Sequence, residues 1–292
     1  MANNLAAAPA VLAEQVLAGL KGKLAVLSAF STNLTPTAVG KSMQVSLISG
    51  GAAKEFSKAN GGYEESDSAQ IDAVTVTLKH LHSTKDFSPD EIGEYGEQYL
   101  ANAFIPEAIN QLTKKVHAEI GALFTAANYA SSDVVTAANF GYDDVVDINT
   151  ALSTAKAADV RALILNPSYA GALRKSATLT APFTSAGGFG SVVQTGDLGV
   201  IAGLRAFEFT DLPANGESLA AVGLGVDAVA CAMALPNASM FPGEVSAAND
   251  ESGLSVQVLK SQGTDGIVRY TATVRFGCAK ARGTSAHRIT SA

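Results

Sequence analysis

The chain has 292 residues, 47% hydrophobic and only 16% charged, with a formal net charge of −7 and no tryptophan. That length allows one large domain or two ordinary ones with a substantial core, and the acidic balance, pI near 5.1, argues against a protein that wraps nucleic acid directly, which needs a basic face. No apolar run reaches the ~18 residues of a membrane helix, since 219–236 is interrupted by Asp227; no membrane contact is expected, and charge this sparse fits a surface largely covered by copies of the same chain.

Residues 1–30 are rich in alanine and leucine, with Leu12, Val16, Leu20 and Leu24 or Leu27 at helical spacing. The pattern predicts an amphipathic N-terminal arm, or simply a first helix, and 31–40, with Pro36, reads as a linker that closes the arm at 1–40. The start lacks a basic n-region and Glu14 interrupts its apolar stretch, so no secretory signal is read and folding in a reducing cytoplasm is expected.

Residues 41–48 alternate, with Met43, Val45 and Leu47 on one side, and 71–81 alternate likewise through Val74, Val76 and Leu78. Between them, 50–70 is polar and contains Gly61-Gly62 and the acidic run 64–67. A connection this long without structure of its own is usually functional or disordered. The unit 41–82 therefore reads as a long hairpin reaching away from the body.

Ser88-Pro89-Asp90-Glu91 is a strong helix start: a hydroxyl N-cap, proline at the first helical position and glutamate at N3. Behind it Ile92, Tyr95, Tyr99, Ala103, Pro106, Ile109, Leu112, Val116, Ile120 and Leu123 suggest one buried face over 88–128. Some forty helical residues would span ~60 Å, a spine within the segment 83–127. A kink is expected at Pro106, and Gly93 and Gly96 weaken the first turns.

From 128 to 234 the elements alternate. A helix is expected at 141–156 with Val145, Ile148, Leu152 and Ala155 inward, a buried strand at 161–165, and a short helix to 174 capped by Asn166-Pro167-Ser168. A mobile loop is expected at 184–190, then strands at 200–201, 205–209 and 225–234. The final segment, 235–292, offers a second hairpin, 254–259 and 267–276, around Gln262-Gly263-Thr264-Asp265-Gly266.

Candidate chemistry is thin. His80 and His82 with Asp72 share one face of the second hairpin strand, and an H-x-H pair can bind zinc, but local spacing places no third ligand. Gly196, Gly199 and Gly203 lack the lysine and hydroxyl of a nucleotide-binding loop and the spacing of a dinucleotide turn, so they read as turn glycines. Cys231 and Cys278 lie in apolar strand-like runs and read as small buried hydrophobes. His117, in mid-helix, reads as a packing or solvent-facing residue. No catalytic, cofactor-binding or metal residue is assigned, and no enzyme is expected.

Three segments together resemble a known family. Phe87-Ser88-Pro89 through Ile105-Pro106-Glu107-Ala108-Ile109 to Ala118-Glu119-Ile120 is similar to the strand-to-spine segment of the coat proteins of Salmonella-type short-tailed phages. Thr195-Gly196-Asp197-Leu198-Gly199-Val200-Ile201-Ala202-Gly203-Leu204-Arg205-Ala206-Phe207 through Asp211-Leu212-Pro213 resembles that family's glycine turn and strand. Residues 268–276, Gly277 and 280–282 resemble its last peripheral strand. With the order of parts, these identify the chain as resembling the major capsid protein of tailed double-stranded DNA phages, of Hong Kong 97-like fold.

The resemblance implies an α+β fold with an N-terminal arm at 1–40, an extended hairpin loop at 41–82 lying over a neighbouring subunit, a spine helix at 83–127, an axial domain at 128–234, and a peripheral domain completed by 235–292. It implies a virion protein, assembled in the host bacterial cytoplasm, that forms hexamers and pentamers of an icosahedral shell. The shell would enclose DNA without sequence-specific binding. The expected partners are a separate scaffolding protein, because 1–40 is too short for a fused one, a portal and, in some members, a decoration protein. There is no room for the inserted domain of the Salmonella-type branch. Some members join subunits through a lysine–asparagine bond; Lys54 and Lys58 lie in the loop, but nothing local identifies an acceptor. The alternatives are an encapsulin-type compartment shell and, resting on His80, His82 and the glycine turns alone, a cytosolic α+β enzyme.

Overall fold

The computed structural model describes residues 9–24, 27, 31–32, 41–49, 56, 58–60, 70–176, 198–210, 212, 216–236, 243–250 and 253–291. The first half of the chain contains α1 (Pro9–Lys23), β1 (Ser31–Thr32), β2 (Ser42–Ser49), β3 (Gln70–Thr77), β4 (Lys79–Phe87), α2 (Pro89–Tyr95), α3 (Glu97–Gly121) and β5 (Ser132–Val134). There follow α4 (Tyr142–Thr154), β6 (Arg161–Leu165), α5 (Pro167–Lys175), β7 (Val200–Ile201), β8 (Leu204–Glu208), β9 (Leu219–Gly225) and β10 (Val229–Ala234). Four strands complete the described fold: β11 (Glu244–Asn249), β12 (Ser255–Gln262), β13 (Val268–Lys280) and β14 (Ala286–Thr290).

The capping box read from the sequence forms: the Ser88 hydroxyl accepts from the Glu91 N–H, and the Glu91 carboxylate accepts from the Ser88 N–H at 2.8 Å. The helix it starts lasts only seven residues. Gly96, at φ 80°, breaks it, and α3 begins immediately afterwards. Pro106, the expected kink, lies within an uninterrupted α3. The spine is thus two helices, the longer of 25 residues, or ~37 Å rather than ~60 Å.

The break also shifts the buried face. Leu100, Phe104, Ala108, Leu112, Val116 and Ile120 recur every fourth residue and are buried, whereas Tyr95, Tyr99, Ala103 and Pro106 face outward. Carrying one helical period through Gly96 had put those four on the inner side. Past the break the register starts anew.

The first six-stranded sheet has the order β1-β10-β13-β12-β11, with β4 also on β13. β4 pairs with Val268–Phe276 of β13, β12 with Val268–Thr273, and β10 with Arg275–Lys280. A strand has two edges, so β12 and β10 share one edge end to end while β4 occupies the other. The expected closing hairpin is β12–β13; the expected strand 71–81 is two strands, because at Leu78 the chain leaves one partner and joins another.

α1 and α3 cover the inner face of this sheet. Leu12, Val16, Leu20, Leu24 and Leu27 join Phe104, Leu112, Val256, Val258, Tyr270 and Val274 in one core. At Gly19, α1 comes so close to α3 that an added Cβ would meet Ile109 Cδ1 at 2.2 Å. Of the two readings of the N-terminal stretch, the first helix is what residues 9–23 form, and this part of the expected arm is core. Residues 1–8 and most of the expected linker lie outside the described residues.

The second sheet has the order β5-β14-β9-β6-β8-β7. β6 (Arg-Ala-Leu-Ile-Leu) is apolar on both sides: Ala162 and Ile164 face the main core, Leu163 and Leu165 a second core beneath α4 and α5. Val145, Ile148 and Leu152 of α4 fill that second core as expected, whereas Ala155 is exposed. Gly223 of β9 lets α4 settle onto the sheet, since a Cβ there would meet Ile148 Cγ2 at 2.2 Å.

Two corrections concern the later strands. The expected strand 225–234 is the end of β9, a turn, and β10, and the two strands lie in different sheets. β11 and β14 were not foreseen. In consequence the divisions expected at 234/235 do not follow the sheets: β10 pairs with the C-terminal strands, and β14 returns to the sheet built from 132–225. The expected loop 184–190 lies outside the described residues.

Candidate functional site

β10 reads Val-Ala-Cys-Ala-Met-Ala, apolar on both faces. Val229, Cys231 and Met233 point into the main core, and Ala230, Ala232 and Ala234 form a low, smooth outer face. On that face rests the root of the β2–β3 hairpin, through Val45, Val76 and Leu78, with Met43 and Val74 beside them. Small side chains on one partner permit the close approach. The Leu78 N–H donates to the Lys41 carbonyl at 2.8 Å and closes the root.

From that root the two strands pair in one antiparallel register, from Ser42↔Thr77 to Ser49↔Gln70. Eight residues per strand carry the hairpin ~26 Å. Of the segment joining them, the structure describes Phe56, which is 57% exposed, and the short turn Lys58–Asn60. Lys58 is exposed there, and Lys54 lies outside the described residues. An extension of this kind offers contact surface.

The histidine candidates separate. Leu78 puts Asp72 on β3 and His80 and His82 on β4. His80 Nε2 hydrogen-bonds the Thr273 hydroxyl and His82 Nδ1 that of Thr84 at 3.3 Å. Burial, then His82 and Arg275 nearby, hold the His80 pKa below its ordinary value, so the neutral ring is favoured. The two rings, with Thr84, Thr271, Thr273 and Arg269, line a groove of about 460 Å³ on the outer face of β4, β13 and β12. Among the described residues no group of three or more His, Cys, Asp or Glu is placed to hold a metal.

The remaining candidates are structural. Ala202 and Gly203, both at positive φ, make the two-residue turn between β7 and β8 that a tight hairpin requires; Gly199 accepts from the Ala206 N–H at 2.9 Å, and Gly196 lies outside the described residues. Cys231 and Cys278 face each other across β10 and β13 without forming a disulfide, and burial pushes the Cys278 thiol upward in pKa. His117 stacks on Phe209, ring centroids 3.8 Å apart.

Sequence reasoning missed a serine–histidine–aspartate chain. His287, 4% exposed, has Nδ1 at 2.8 Å from the Ser131 hydroxyl and Nε2 at 3.0 Å from Asp133 Oδ2. The serine lies 156 positions from the histidine, and no local motif could join them. Both partners come from β5 and its first approach, opposite β14. Beside them the buried Arg288 donates to the Tyr129 carbonyl at 2.8 Å and pairs with Glu217, which accepts from the Ala126 N–H. Together they strap the short parallel pairing of β5 and β14, which spans only Arg288↔Ser132 to Thr290↔Val134.

No protein-family model and no curated protein matches the sequence. The structure does match known ones. The capsid structure of the cyanophage P-SCSP1u superposes with a TM-score of 0.59 at 11% identity, covering 91% of this chain and 87% of that one. The chain has a phage-capsid fold. A virus-like particle from Pyrococcus furiosus matches with a TM-score of 0.56 at 10% identity, over 95% and 97% of the two chains. The capsid of a native GTA particle matches at 0.53 and 17% identity, over 92% and 91%. At these identities the shared property is the fold: mixed α and β, with several sheets and, among the described residues, five α-helices. No helix among those residues is long and apolar enough to cross a membrane.

Proposed function

We propose that this chain is the major capsid protein of a tailed double-stranded DNA bacteriophage, of Hong Kong 97-like architecture. The observation that carries the reading is a capsid fold matched over about nine-tenths of both chains. A hairpin that a single copy leaves extended supports it. Only neighbouring copies can cover such an extension, and closed symmetry multiplies each modest contact many times per particle.

In this reading the hairpin lies over an adjacent subunit, and hexamers and pentamers close an icosahedral shell in the host cytoplasm. A separate scaffolding protein and a portal guide assembly. DNA is enclosed without sequence-specific grip, since the chain is acidic and counterions neutralise most packaged charge. A second reading, the shell of an encapsulin-type compartment, is favoured by the match to the Pyrococcus furiosus particle, whose coverage is nearly complete in both directions.

The test is electron microscopy of the chain expressed alone and with its scaffolding partner. Closed shells tens of nanometres across are expected, and nuclease-protected DNA or a protein cargo inside separates the two readings. Only monomers or dimers under both conditions would refute both.

A further inference from the structure

One pair of side chains in the main core is placed for chemistry that the shell reading does not use. In the antiparallel pairing of β10 with β13, Cys231 stands directly opposite Cys278. Opposed residues of such a pair point to one face of the sheet, with Cα atoms ~4.5 or ~5.5 Å apart. Both separations fall within the ~4.4–6.8 Å that a disulfide spans. Here that face is the core side: Cys231 belongs to the main core and Cys278 packs against it. The flanking pairs are small, Ala230 with Ala279 and Ala232 with Gly277, so no bulky side chain holds the two strands apart at this point.

The two thiols differ in access. Cys231 is wholly buried and Cys278 only partly so, and a reagent therefore meets Cys278 first. Burial, then Cys231 and Glu119 nearby, raise the Cys278 pKa, with Lys79 acting against them. Its thiolate is scarce at neutral pH, and the pair reacts slowly. Both features suit thiols that stay reduced in a thiol-rich cytoplasm and close only in lasting contact with an oxidant.

We infer that Cys231 and Cys278 are a modification site for a small-molecule disulfide, which converts them into a cross-strand bond stapling β10 to β13. The Cys278 thiolate attacks one sulfur of the reagent, forms a mixed disulfide and releases the first small thiolate. Cys231 then gives up its proton and attacks the Cys278 sulfur, releasing the second. The two cysteines lose two electrons, the reagent is reduced by the same two, and both protons pass to the released thiolates. The bond ties β13, which also carries β4 and β12, to the strand whose alanine face seats the hairpin root. It closes a loop over 231–278 with β11 and β12 inside it, and such closure removes freedom from the unfolded chain.

The test uses the full chain and oxidised glutathione at mildly alkaline pH, followed by alkylation in denaturant, tryptic digestion and mass spectrometry. Trypsin cuts between the pair after Lys260, Arg269 and Arg275, so the bond is read as two peptides joined with the loss of two hydrogens and separated by dithiothreitol. Wild type is expected to lose both alkylatable thiols, to run as a single chain on non-reducing gels, and to unfold about 5 °C above its reduced form. Cys278→Ala, treated alike, is expected to show no rise. Both thiols still open to alkylation after prolonged exposure, glutathione retained on Cys278, or chains linked to each other would overturn the inference. A bond without a higher midpoint, or an equal rise in Cys278→Ala, would overturn the staple. Every one of these readouts concerns the single chain, so the inference stands or falls separately from the formation of shells.

Discussion

The carbonyl oxygen of Thr77 lies against Gly277: a Cβ built on Gly277 would fall 2.2 Å from it. The last residue of the hairpin thus presses onto the backbone of β13, and any side chain there must lift the root. Gly277→Ala is expected to cost about 1–3 kcal/mol, as overpacking does, and to speed proteolysis within the hairpin. Urea unfolding and limited trypsin digestion check both. An unchanged midpoint and cleavage rate would mean that the root is not seated as described.

Glu97 holds two groups at once, the Lys260 ammonium and the Tyr270 hydroxyl. Burial alone would raise its pKa, but those two partners outweigh it and hold the carboxyl below 4.5. A depressed carboxyl contributes stability that is present above its unfolded value and is lost as pH falls below it. Wild-type stability should therefore fall as pH drops below about 4.5, and Glu97→Ala, costing about 1–3 kcal/mol at neutral pH, should flatten that part of the profile. Chemical denaturation at a series of pH values would show it.

His80 adds a loss in the same direction at higher pH. Its pKa lies below 6.5 because burial, His82 and Arg275 disfavour the cation, so the folded state binds fewer protons than the unfolded one just under that value. Stability should then decline as pH falls below about 6.5, and His80→Asn should remove that component. Equal pH dependence in both proteins would contradict it.

Gly96→Ala forces an L side chain into φ 80° in otherwise open space. The expected cost is about 1–3 kcal/mol from backbone conformation alone. It is measured by thermal denaturation, and a variant as stable as wild type would show that the break is not imposed there.

Deleting 51–70 removes the hairpin tip but spares the contacts of Val45, Val76 and Leu78 with β10. The product should be a soluble, folded subunit that forms no stable shells. Normal particles from this deletion would contradict the role given to the hairpin.

Much of this was legible from local pattern. Ser88 and Glu91 announced a helix start, Met43 and Val45 against Val74 and Val76 a hairpin, and Asn166-Pro167 the next cap. What stayed hidden were the decisions made by distant partners. Leu78 reads as the continuation of one strand, and only β13 reveals that the chain changes sheets there. Tyr95 and Tyr99 have the spacing of a buried face, and only the turn at Gly96 sends them outward. The meeting of Ser131, Asp133 and His287 depends on a pairing that spans more than half of the chain.

That pairing orders events in time. β14 sits between β5 and β9, so β5 has no strand to join until residues 286–290 exist. A chain emerging from the ribosome can form α3 and the β2–β3 hairpin early, but its second sheet stays open at β9 until β14 has been made. Buried Arg288 and His287 are then the pieces that lock this sheet. A subunit cut short before them would carry an open sheet edge, a surface prone to the wrong partners. Synthesis of residues 286–290 and closure of the second sheet thus become one event.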